Sequence, residues 1–82
     1  MIDVRQAVEA AVGYVNSFVQ IFPTEGLRLE ETEIDERAGD WNITLSFIDE
    51  SVYPASRIFK TFRIDAETGA VRAMKNRNPL KV

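Results

Sequence analysis

Five carboxylates crowd one short stretch, Glu30, Glu31, Glu33, Asp35 and Glu36, and by type and spacing they come nearest to chemistry in this chain. Hard cations such as calcium or magnesium need oxygen ligands that converge on a point. In an extended strand only alternate residues share a face, so Glu31, Glu33 and Asp35 line up without wrapping around an ion. EF-hand spacing is absent. The run reads as a solvated strand edge that opposes aggregation, and no metal or other cofactor is expected.

Other chemistries lack their parts. A carboxylate pair for acid–base work needs two acids in one cleft whose environments push their pKa values apart, and no acid here lies in an apolar setting legible from sequence. Ser17, Ser46, Ser51 and Ser56 have no base, because the chain contains no His and no Ser-x-x-Lys spacing. The absence of Cys removes disulfides and thiolate metal sites. No glycine-rich phosphate loop occurs. Catalysis is therefore not expected, and recognition is the function to look for.

A second candidate surface comes from strand alternation. If Ile58, Phe62 and Ile64 point towards a core, then Arg57, Phe59, Thr61 and Arg63 point away from it. In the next strand Val71 and Ala73 would go in, Arg72 and Met74 out. Phe59 and Met74, rimmed by Arg57, Arg63 and Arg72, would then form an apolar patch with basic borders, made of residue types that dominate protein interfaces. The alternative is that Phe59 is covered by the C-terminal tail or by Tyr53.

These residues need a scaffold, and 82 residues allow one domain with one core. A chain of this size buries roughly 60 to 70% of its unfolded surface, which leaves little stability to spare. Packing must supply it, and a 45% hydrophobic composition with five Phe, two Tyr and one Trp is sufficient. No run approaches the ~18 apolar residues of a membrane span. Met1 to Arg5 lacks the basic start and apolar run of a secretory signal, so a cytoplasmic location is expected, with no membrane partner.

The formal net charge of −3 hides an asymmetry: residues 1–56 carry three basic and eleven acidic side chains, residues 57–82 seven basic and two acidic. An acidic molecule repels polyanions, so nucleic acid is not an expected partner. A folded sheet can also set acidic and basic strands side by side, which neutralises the asymmetry locally.

Asp3 and Gln6 write a capping box. Behind them Val4, Ala7, Val8, Ala11, Val12, Val15, Phe18, Val19 and Phe22 recur at steps of three and four, which predicts an amphipathic helix ending at Pro23. From Leu27 the period becomes two. Leu27 and Leu29 share one parity, Thr32 and Ile34 the other, which predicts a bulge or a late strand start in the acidic run. Arg37-Ala38-Gly39-Asp40 reads as a hairpin turn. Trp41, Ile43, Leu45 and Phe47 alternate with polar residues and predict a strand with its odd row towards the helix. A longer connection with Tyr53-Pro54 leads to strands over about Ile58–Asp65 and Ala70–Arg77. Lys60 interrupts the apolar row of the third strand, by snorkelling or by a bulge. The predicted fold is α+β, one N-terminal helix packed on a four-stranded antiparallel meander sheet (α-β-β-β-β). It is a single domain over 1–77, with a frayed tail over 78–82.

The stretch Phe62-Arg63-Ile64-Asp65-Ala66-Glu67-Thr68-Gly69-Ala70-Val71 is a complete strand, turn and strand. With the Ala/Val-rich helix and the strand at Trp41-Asn42-Ile43-Thr44-Leu45, it resembles the closing signature of PepSY-like domains, members of the cystatin-like group of shapes. About ten positions are specific. The resemblance implies a helix on a curved antiparallel sheet and a regulatory or protease-inhibiting module. The turn also has a local explanation, since Asp65 can accept from turn amides and Gly69 can take positive φ.

The expected function is a non-enzymatic interaction module that binds a protein partner through the outer sheet face or an edge strand. The alternatives are a small acidic immunity or antitoxin-type protein that masks a basic surface with Glu30 to Glu36, and a structural homodimer.

Overall fold

The fold, taken from a computed structural model, is described over residues 1–17, 26–49, 54 and 56–77. One helix, α1 (Val4–Ser17), precedes four strands, β1 (Arg28–Asp35), β2 (Asp40–Asp49), β3 (Ser56–Asp65) and β4 (Val71–Arg77). The strands form one antiparallel sheet in the order β1-β2-β3-β4, so the α+β meander is present. The expectations on Phe18, Val19, Phe22, Pro23, Tyr53 and the tail 78–82 lie outside the described residues.

The helix begins where its capping chemistry says. Asp3 N–H donates to Gln6 Oε1 at 2.9 Å and Gln6 N–H donates to Asp3 Oδ1 at 2.8 Å, which satisfies two groups that the first turn would otherwise strand. Ala7, Ala11 and Val15 form the buried stripe, while Val8 and Val12 are half-buried and Val4 is exposed. Small residues at the contact let the helix axis come close to the sheet. Its partners there are Ile43 and Leu45 of β2 and Phe62 and Ile64 of β3, all buried in one cluster. Phe47 is buried as well. Tyr14 meets the Phe62 ring edge-on, with centroids 5.9 Å apart.

Both hairpins close with the same local grammar. Asp35 Oδ1 accepts from the amides of Arg37 and Ala38, and Asp65 Oδ1 from those of Glu67 and Thr68. Gly39 and Gly69, each four residues after its Asp, take φ of 71° and 79°. Such values suit a residue with no Cβ. The two turns share an end of the sheet and hold the N-terminus there. Ala66 N–H donates to Gly39 O, Ile2 N–H to Ala66 O at 2.7 Å, and the Trp41 indole N–H to Ile2 O at 3.1 Å.

Two irregularities interrupt the ladders. In β1 the register shifts between Leu29 and Glu31, the bulge that is one of the two alternatives the parity change leaves open. A second shift leaves Arg72 unmatched: Arg63 lies opposite Ala73, but Ile64 lies opposite Val71. β3 runs in unbroken register with β2, so Lys60 is not at a bulge. It stays in the helix-side row with Phe62, and its ammonium reaches Asn76 across the β3–β4 pair.

Candidate functional site

Two surfaces compete for the role, the outer face of the sheet and its β1 edge. On the outer face, the pleat and the register bring Asp40, Thr44 and Ser46 of β2 beside Arg57, Phe59, Thr61 and Arg63 of β3. The extra residue in β4 then corrects one sequence expectation. Met74 lies opposite Phe62 and packs on the core from the helix side, while Ala73 takes the outward position opposite Arg63. One inserted residue inverts the parity of everything after it, because side chains alternate with period two. Val71 still points in. Arg72 still points out, where it reaches Asp40. The apolar pair of Phe59 and Met74 is therefore split across two faces, and Phe59 sits half-buried between Ser46 and Arg77.

What remains on the outer face is a set of polar contacts that span strands. Asp40, fully buried, receives Arg63 Nη2 at 2.6 Å on one carboxylate oxygen and Arg72 Nη1 at 3.2 Å on the other. Thr44 and Thr61 share a 2.9 Å hydrogen bond, and Arg77 extends over them from β4 to Glu31 of β1 at 2.6 Å. Ser46 donates to Glu30 Oε2 at 2.6 Å and accepts from Arg57, which also donates to Gly26 O at 2.8 Å. Arg28 completes that group with a 2.9 Å ion pair to Glu30. Among the described residues no buried side-chain nitrogen or oxygen lacks a partner. Arg63 and Arg72 are brought together with Asp40, and Arg57 donates to Ser46 and to the Gly26 carbonyl, so the three do not stand as an open basic rim.

The electrostatics follow from these contacts. The Ser46 hydroxyl, helped by Arg28, holds the Glu30 carboxyl below its ordinary value. The amides of Glu67 and Thr68, with Arg72 behind them, do the same for Asp65. Glu31 raises the Arg77 guanidinium further above its usual range. Each charged group is stabilised by a hydrogen bond it already makes.

The acidic run falls on β1 and its turn. Glu31, Glu33 and Asp35 pair with Thr44, Asn42 and Asp40, so they do form one outward row, as alternation predicts. Glu30 occupies the bulge and Glu36 is exposed in the turn. No group of three potential metal ligands converges among the described residues.

The helix side of β1 is different. α1 packs over β2, β3 and β4 and leaves β1 largely uncovered. The gap between them is an apolar groove of about 400 Å³ lined by Val4, Arg5, Val8 and Glu9 of the helix and by Leu29 and Thr32 of the strand. β1 is also an end strand, with its second edge unpaired among the described residues. Sequence reasoning missed this groove. Its available signal was the helical stripe itself, which is broader than a single row of small residues can bury, and the leftover positions Val4 and Val8 line the gap.

Compared with known proteins, the chain matches no family model, no curated protein and no solved structure. No described helix is long and apolar enough to cross a membrane.

Proposed function

We propose that this chain is a non-enzymatic protein-interaction module, PepSY-like in layout, that receives its partner on the β1 edge and the groove beside α1. One observation carries the reading: among the described residues, the exposed large hydrophobics apart from Met1 are Val4 (40%) and Leu29 (51%), and both line that one groove. Apolar side chains gathered beside an unpaired strand edge are a recognition device, since backbone bonds supply affinity and the pocket supplies selectivity. The outer face is a poorer candidate, because Asp40 there is already engaged by Arg63 and Arg72, Arg77 is engaged by Glu31, and the apolar pair of Phe59 and Met74 is split. A cytoplasmic location is part of the same proposal and rests on the sequence alone.

The acidic-mask alternative draws on the same strand, since Glu31 and Glu33 flank the edge that the groove opens onto. A homodimer formed by β1 against its own copy is disfavoured, because the pairing would set acidic rows directly opposite. Affinity capture with the purified chain tests the assignment. A partner held by the wild type should be lost from Leu29→Lys and Val4→Lys and kept by Phe59→Glu, with all three variants checked for folding by thermal melting. Retention on the groove variants and loss on Phe59→Glu would move the site to the outer face.

A further inference from the structure

The β1 edge also specifies its occupant. Resting on the interaction role proposed above, we infer that this site takes an extended segment whose alternate residues are apolar and basic. A strand laid along β1 inherits the pleat of the sheet, so its side chains go alternately to the two faces. On the helix side they meet Val4, Val8, Leu29 and Thr32, a surface suited to Val, Ile or Leu. On the other side they meet Glu31, Glu33 and Asp35, spaced two residues apart. Glu31 is paired with Arg77 and Asp35 accepts from its turn amides, but Glu33, in the middle of that row, makes no hydrogen bond or ion pair among the described residues and feels Arg77 only at longer range. The bulge at Glu30 breaks the regular edge, so the usable template is the run Glu31 to Asp35.

Charge selects this occupant over the other edge-seeking candidates. An acidic or neutral strand would desolvate Glu33 with only the longer-range field of Arg77 to offset it, while Glu31 keeps its Arg77 pair and Asp35 its turn amides. A second copy docked by its own β1 would meet like charge. A second copy docked by β4, which carries Lys75 and Arg77, would match in sign. That contact is heterologous, however, and would propagate into an open assembly of molecules that each carry net negative charge.

The test uses three eight-residue peptides, end-capped: alternating Val and Lys, alternating Val and Glu, and the Val/Lys peptide with alternate backbone N–H groups methylated. Each is titrated into isotopically labelled full chain and followed by amide shifts. The Val/Lys peptide should move amides of Leu29 to Asp35 and Val4 to Glu9. It should bind at least about tenfold tighter than the Val/Glu peptide, an advantage that shrinks at high salt. N-methylation should abolish binding, Leu29→Lys should weaken it, and Glu33→Lys should narrow or reverse the charge preference. Equal affinity of the Val/Lys and Val/Glu peptides for β1 would overturn the partner chemistry while leaving the edge site in place. Shifts confined to the outer face, or unchanged affinity in Leu29→Lys, would overturn both. Concentration-dependent growth of the peptide-free protein in sedimentation, abolished by Glu33→Lys, would make the occupant a second copy and overturn the inference.

Discussion

Asp35 and Asp65 are equivalents, each accepting from the amides two and three residues ahead of it while its own carbonyl receives the N–H of a glycine four residues on, at 2.9 and 2.8 Å. Hydrogen bonds to the ionised form depress the Asp65 pKa below its ordinary 3.8. A depressed folded-state value stabilises the fold above the unfolded pKa, and the effect is lost as pH falls through the folded one. Asp65→Ala should therefore lower the urea midpoint at pH 7, with the gap to wild type closing as the pH drops below 3.8. A gap that stays constant across that range would show the carboxylate charge to be irrelevant. Gly69→Ala in the same turn should cost about 1 to 2 kcal/mol at every pH, because positive φ penalises any Cβ.

Burial should separate two ion pairs that look alike on paper. Arg63→Met leaves the fully buried Asp40 carboxylate with Arg72 alone, and should cost about 2 to 4 kcal/mol in chemical denaturation. Arg28→Met breaks an exposed pair with Glu30 and should cost less than about 1 kcal/mol. Equal losses would mean that Asp40 is reached by water.

The helix–sheet contact has no room to grow. Ala11 is fully buried against the sheet, so Ala11→Leu should destabilise by about 1 to 3 kcal/mol through displaced packing. Val4→Ala, on the same helix but beside the open groove, should fall within about 0.5 kcal/mol of wild type. Thermal melting of the pair measures how narrow the buried stripe is.

Trp41 ties the N-terminus to the sheet by its indole. Trp41→Phe keeps most of the ring contact but removes the donor to Ile2 O, and should cost about 1 kcal/mol or somewhat more with ring volume. Phe47→Ala, wholly inside, should cost about 3 to 5 kcal/mol. Amide exchange at Ile2 and Ala66 should quicken in Trp41→Phe. Unchanged exchange there would show that the two backbone bonds hold the terminus without the indole.

The helix start at Asp3, both hairpin turns and the inward row of Ile43, Leu45 and Phe47 were legible from the chain alone. Each depends on groups a few residues apart, so composition and spacing settle them before any tertiary contact forms. The bulge in β1 also left a trace in the parity of Leu29 and Thr32. The side of Met74, the engagement of Arg77 with Glu31 and the groove at Leu29 were not legible. An extra residue at Arg72 inverts the end of β4 without leaving a mark in its hydrophobic pattern, because Ala73 and Met74 suit either face. Arg77 and Glu31 are forty-six residues apart and meet only because the sheet brings β1 and β4 over one surface. The groove exists because one helix is narrower than four strands, and which strand goes uncovered is decided by where Ala7, Ala11 and Val15 come to rest.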